Sequence, residues 1–187
     1  MVIASVLDHA DLRSAVFPLS VEQYQKIAWS GVLPEDTELI RGYIIQARAK
    51  SPGHRYATER LLFFLLQAFM TEPDCYVTVE QPLTLRDSEP EPDLSVLHGR
   101  PRDYRDAHPN TARLIAEVAV TSQTLDREKA LLYAEAGVSS YWLVDVAARQ
   151  VEVFTNPTPE GYAQRIVKRP GEMLRIGELQ LDPGELF

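Results

Sequence analysis

The chain has 187 residues, 45% of them hydrophobic and 25% charged, and a formal net charge of -8. That length and balance suit one globular domain with a sizeable core. The acidic total excludes a bulk electrostatic nucleic-acid binder, because phosphate contacts supply most non-specific affinity, though a local basic groove stays open.

Along the chain, residues 1–17 read as an N-terminal arm and 18–187 as one domain. Asp8, Asp11 and Arg13 interrupt the first apolar residues, so no signal peptide is expected there. Ser20-Val21-Glu22-Gln23 has the form of a capping box, and the helix it opens should run to about Ser30, before Gly31 and Pro34. Thr37 to Ala49 is predicted as two strands turning at Arg41-Gly42. Pro52-Gly53 should break the chain ahead of a long helix from His54 to about Thr71. Its run Leu61 to Leu66 is the longest apolar stretch, six residues, too short to cross a bilayer. These six cannot all face one core, so Phe63 or Phe64 is expected against the N-terminal helix or another chain, and a homodimer is the expected assembly.

Strands are predicted over Tyr76–Leu85 and Leu94–Leu97, with an acidic, proline-rich turn between them. Arg100 to Asn110 reads as a polar loop. Leu114–Val120 is nearly all apolar, as at a sheet centre. Ser122 or Thr124 should cap a helix from Leu125 to Glu135 that stops at Gly137. Tyr141–Asp145 and Gln150–Thr155 form a hairpin around Ala147-Ala148, Tyr162–Lys168 adds a strand, and Met173–Phe187 holds short strands or turns. The order predicts an α/β domain, a mixed sheet flanked by helices. Cys75 is the single cysteine. It permits no intramolecular disulfide and no cysteine zinc site, and a reducing cytoplasm fits.

Two carboxylates carry the chemical interest. Glu117 sits inside Leu114-Ile115-Ala116-Glu117-Val118-Ala119-Val120, where alternation puts it on one face with Ile115 and Ala119. Asp93 follows a proline in Glu91-Pro92-Asp93-Leu94. An ionised acid in an apolar run is costly unless a positive group meets it. Acids from neighbouring strands make a hard-oxygen site of the kind that holds Mg²⁺ or Mn²⁺. Equally consistent is a buried salt bridge at Glu117, with Asp93 capping a turn. Lys129, on the helix that follows and on one face with Tyr133, is the candidate positive partner. Its plainer role is a solvated lysine on a charged helix.

The succession Ser88-Glu89-Pro90-Glu91-Pro92-Asp93, Leu114-Ile115-Ala116-Glu117-Val118, Asp126-Arg127-Glu128-Lys129, Leu132-Tyr133-Ala134-Glu135-Ala136-Gly137-Val138 and Tyr141-Trp142-Leu143-Val144-Asp145 resembles the Uma2 family of the PD-(D/E)XK nuclease superfamily. Glu38-Leu39-Ile40-Arg41-Gly42 and Ser51-Pro52-Gly53-His54 match upstream, so the resemblance spans roughly Ser20 to Phe187. It implies a restriction-endonuclease-like sheet with additional C-terminal β-hairpins. It also implies Mg²⁺-dependent attack on DNA phosphodiesters, with Mn²⁺ as a substitute. Carried over, Asp93 and Glu117 would hold the metal, Lys129 would position water or phosphate, and Glu38 and His54 would line the site. The superfamily's usual lysine position is Ala119 here, and Lys129 stands in for it. Arg41-Gly42-Tyr43 replaces the family's Asp-Gly-Glu, and the segment from Asp126 to Lys129 is one residue short. The other class of reading is a nuclease-like module that binds nucleic acid or protein without catalysis.

His54 at a helix start has a bland reading too, that of satisfying a backbone group. His9, His98 and His108 read as surface residues. Two basic groups, Arg41, Arg48, Lys50, Arg55 and Arg60, then Arg100, Arg102 and Arg105, are candidates for tracking a phosphate backbone. Tyr104 beside the second is a candidate for stacking a base. Solvated charge next to compensating acids is the alternative for both groups.

Overall fold

The structure is a computed structural model that describes residues 15–46 and 49–187. Most of the arm expected over 1–17 lies outside the described residues, as does Arg48.

The first helix, α1 (Val21–Trp29), starts as the sequence predicts. Ser20 Oγ accepts the Gln23 amide at 3.2 Å, and the Gln23 side chain accepts the Ser20 amide at 2.9 Å. A hairpin follows, β1 (Thr37–Ile40) and β2 (Tyr43–Gln46). Its two-residue turn has φ +53 at Arg41 and +83 at Gly42, the left-handed pair whose twist suits a tight hairpin. A side chain at Gly42 would also bring a Cβ to 2.6 Å from Pro18 Cβ. Arg41 tolerates its conformation while its guanidinium clamps Asp87 and Glu135.

The long helix α2 (Pro52–Phe69) begins before His54. Pro52 and Gly53 lie inside its first turn rather than breaking the chain ahead of it. Proline fits there because the first helical amides need no intrahelical partner. Ser51 supplies the cap, accepting the His54 amide at 3.2 Å.

Six strands form the central sheet, in the order β3 (Cys75–Val79), β4 (Leu94–His98), β5 (Leu114–Ala119), β6 (Ser140–Asp145), β7 (Gln150–Thr158) and β8 (Gly161–Lys168). Only β5 and β6 pair in parallel; all other neighbours are antiparallel. A parallel pair needs a crossover, and α3 (Gln123–Glu135) supplies it. Gly137, at φ +72, ends that helix, with the Val138 amide returning to the Tyr133 carbonyl at 2.9 Å. A separate hairpin, β9 (Leu174–Ile176) with β10 (Leu179–Leu181), closes the chain.

The strand predicted over Tyr76–Leu85 stops at Val79. Glu80 takes a positive φ of 50. From there the backbone bonds into loops instead of a neighbouring strand: Leu83 N–H to Pro90, Leu85 N–H to Ser88, and Thr84 N–H to Pro109. Pro82, Pro90 and Pro92 could not donate to a ladder.

The sheet is covered on both faces, and β5 shows the alternation that organises it. Leu114, Ala116 and Val118 face a core shared with Ala57, Leu61, Phe64 and Leu65 of α2. Ile115 and Ala119 face Ala130 and Tyr133 of α3. The apolar run of α2 is therefore split. Phe64 stacks on Trp142 of the chain's own sheet, with centroids 6.3 Å apart, rather than on α1. Phe63 stays 68% exposed. On the far strands, Glu152 is fully buried and takes hydrogen bonds from Arg127 and Arg165. The pair of arginines holds its carboxyl below the usual range against burial, which pushes it up.

Among the described residues, no helix is long and apolar enough to cross a membrane.

Candidate active site

Asp93 directly precedes β4, and Glu117 lies on β5 one step beyond the Leu94–Ala116 pair. At this point each acid clasps the other's strand. Asp93 N–H donates to Glu117 Oε2 at 3.3 Å, and Val118 N–H donates to Asp93 Oδ2 at 2.8 Å. Both carboxylates are buried. The alternation of β5 explains the aim of Glu117: on the face shared with Ile115 and Ala119, it meets α3.

From α3, Lys129 Nζ donates to Glu117 Oε1 at 3.0 Å and reaches Glu38 Oε2 at 2.8 Å. Its side chain is 5% exposed, so the plain reading of a solvated lysine is overturned. The α3 axis is shared by Asp126, Lys129 and Tyr133, a three-and-four spacing that puts all three on one face. Tyr133 OH donates to Glu117 Oε1 at 2.8 Å. Glu38 reaches in from β1 and also accepts the Glu91 amide at 2.8 Å. From the other side, the first turn of α2 brings His54, whose Nε2 lies 3.1 Å from Asp93 Oδ2. The carboxylate makes Nε2 the donor nitrogen. Thr58 holds the residue from behind through the His54 carbonyl at 2.9 Å.

Glu38, His54, Asp93, Glu117 and Lys129 thus line one cleft of about 1000 Å³. The lining counts nine acids against two lysines and one histidine. Burial, with Asp126, Asp93 and Glu38 adding negative charge, pushes the Glu117 carboxyl up to about 8 despite Lys129. Burial and the same acidic surroundings raise Asp126. Asp93 goes the other way: burial pushes it up, but the His54 ring, the Val118 amide and Lys50 together hold it below the usual range. Burial disfavours the charged Lys129, yet Glu117, Glu38 and Asp126 outweigh it and keep the ammonium charged.

Such a donor set suits a hard divalent cation. Among the described residues no group of three or more His, Cys, Asp or Glu is arranged to hold a metal ion. The two clasped acids offer two ligands, and Mg²⁺ characteristically keeps several waters and takes further oxygens from substrate phosphate. Excess negative charge in the cleft is what a cation would relieve.

Sequence reasoning missed three residues of the site or gave them another place: two that line the cleft and one, Tyr133, that sits behind Glu117. Tyr133 was visible only as a neighbour of Lys129 four residues on. Asp126 falls where the family pattern is one residue short, yet it is buried in the cleft, bonded to Ser122. Lys50 was grouped with basic residues that scatter. Arg55 pairs with Glu59 and Arg60 with Glu185, so of the described members of that group Lys50 alone lines the cleft. The second group, Arg100, Arg102 and Arg105, leaves the opposite end of β4 from Asp93, about 17 Å away at the strand rise. Tyr104 there packs on Tyr76.

A mixed sheet with helices on both faces, carrying paired acids where two central strands meet, defines a restriction-endonuclease-like class of protein. A solved structure with 21% identity shares this fold at a TM-score of 0.76, covering 91% of this chain and 98% of its own; it is titled a "putative nuclease belonging to DUF820" from Anabaena variabilis. The family model described as "Putative restriction endonuclease", Uma2, matches residues 21–182, and the chain belongs to that family. No curated protein matches it.

Proposed function

We propose that this protein is a Mg²⁺-dependent endonuclease that hydrolyses DNA phosphodiester bonds, with Mn²⁺ able to substitute. The observation that supports it most is the reciprocal clasp of Asp93 and Glu117 beside the buried Lys129 ammonium. In this reading Asp93 and Glu117 hold the cation. When bound, it supplies a water of lowered pKa and charge neutralisation at phosphate. His54 fixes the carboxylate of Asp93, and Tyr133 and Lys129 fix that of Glu117. Glu38 anchors Lys129 from the far side. The ammonium has three N–H donors and lies 3.0 Å from Glu117 Oε1 and 3.1 and 2.8 Å from the two Glu38 oxygens; releasing one Glu38 oxygen frees a donor to orient the attacking water or a phosphate oxygen.

The neutralising lysines favour one second reading, a nuclease-like module that binds DNA or protein without cutting. DNA binding that ignores a chelator would support it. A cytoplasmic location belongs to the proposal. So does a homodimer, supported by Tyr56, Phe63 and Leu66 on α2 and Met70 at its C-cap, which stand exposed at seven- and three-to-four-residue spacings. Light scattering should then report twice the 21.1 kDa chain mass; a monomer at high concentration rules the dimer out.

Metal binding is tested by melting. An ion that binds only the folded chain stabilises it by about 2.7 kcal/mol at a hundredfold excess over Kd, a rise of roughly 5–10 °C for a domain of this size. Mn²⁺ should produce that rise in the wild type and not in Asp93→Asn. A full rise in the variant would place the ion elsewhere.

A further inference from the structure

Each carboxylate at the clasp offers about four lone-pair sites, and their occupancy leaves little choice. Asp93 Oδ2 is taken by the Val118 amide and His54. Glu117 Oε1 is taken by Lys129 and Tyr133. A cation shared by the two acids is therefore left with Asp93 Oδ1 and Glu117 Oε2. Glu117 Oε2 carries one long bond, from the Asp93 amide. Asp93 Oδ1 faces the Lys50 ammonium at 3.2 Å.

Lys50 differs from Lys129 in every respect that bears on movement. Lys129 is buried and held by two acids, whereas the Lys50 side chain is 41% exposed at the cleft edge. Its second partner, Glu80, is itself half exposed. A lysine head is a compact charge on a flexible four-carbon stem, so it can leave one acid for another anion at small cost.

We propose that Lys50 is a resident counter-ion that a divalent cation displaces from Asp93 Oδ1, after which its ammonium pairs with a backbone phosphate of the substrate at the cleft mouth. Metal entry and phosphate capture are then coupled by one side chain. Without the metal, Lys50 neutralises Asp93 and the acid-rich cleft repels nucleic acid. With the metal in place, the acids are neutralised and Lys50 is the mobile positive group at the mouth. The inference rests on the metal site proposed above.

Calorimetric titration with Mn²⁺, without DNA, tests it on the wild type, Lys50→Gln, Lys50→Arg and Asp93→Asn. Lys50→Gln should bind Mn²⁺ roughly tenfold more tightly, because a competing like charge has gone. Lys50→Arg keeps the charge and should stay near the wild type. In Mn²⁺, the affinity of Lys50→Gln for a hydrolysis-resistant phosphorothioate duplex should fall. Its log–log salt slope should become shallower by about 0.9, the loss of one phosphate contact. Unchanged Mn²⁺ affinity in Lys50→Gln, with binding lost in Asp93→Asn, overturns the counter-ion while leaving the metal site standing. An unchanged salt slope overturns the phosphate contact. Asp93→Asn that binds Mn²⁺ like the wild type overturns the metal site itself and this inference with it.

Discussion

Lys129→Met should destabilise the protein by about 3–5 kcal/mol, the cost of leaving buried charges unpaired. The ammonium is the shared partner of Glu38 and Glu117, both of them buried. Methionine fills the stem's volume but gives neither acid a proton or a positive charge. Burial already pushes Glu117 up to about 8 with Lys129 present, so without it Glu117 has every reason to stay protonated and Glu38 loses its main anchor. Urea unfolding measures the loss. Adding Glu38→Gln and Glu117→Gln to Lys129→Met should recover most of it, because neutral amides need no counter-ion. A loss under about 1 kcal/mol in the single variant would mean that the acids find another partner and that Lys129 does not organise the cleft.

Glu117→Ala should lower Mg²⁺-dependent DNA cleavage by at least about a hundredfold, the usual cost of removing one preorganised electrostatic element at a reacting centre. The substitution removes a proposed metal ligand and the acceptor that positions both Lys129 and Tyr133. Tyr133→Phe removes only the hydroxyl that steadies Glu117, so its activity should fall by about 10–100-fold, as for other groups that orient a metal ligand. Cleavage by purified wild type on plasmid DNA, with and without chelator, is the reference. Activity that survives unchanged in Glu117→Ala would assign the cutting to a contaminant and put the non-catalytic module ahead.

Much of this molecule is legible in its sequence because local rules decide it. The Ser20 capping box, the Arg41-Gly42 turn, the stop at Gly137 and the alternation along β5 each depend on a few adjacent residues. The apolar setting of Glu117 announces a buried acid in need of a positive partner. Asp93 stood out beside it as a second acid and Lys129 as its candidate partner; family resemblance then added Glu38 and His54, and the structure brings all five to one cleft.

Other features depend on which surfaces meet. Residues 80–85 have strand-like composition, but the amides of Leu83, Thr84 and Leu85 bond to Pro90, Pro109 and Ser88 instead of extending β3. The fate of Phe63 and Phe64, adjacent in sequence, was set by the one helical face that reaches Trp142. Two basic clusters that look alike as sequence separate: of the described members of the first, only Lys50 lines the cleft, and the second sits across the length of β4 from the acids. Charge and composition identify what a side chain can do, but partners distant in sequence decide whether it is solvated, paired or poised. Lys129 and Lys50 are the same residue type in the same cleft; burial between Glu38 and Glu117 holds the first in place, and exposure at the cleft edge, beside Asp93 and Glu80, leaves the second able to move.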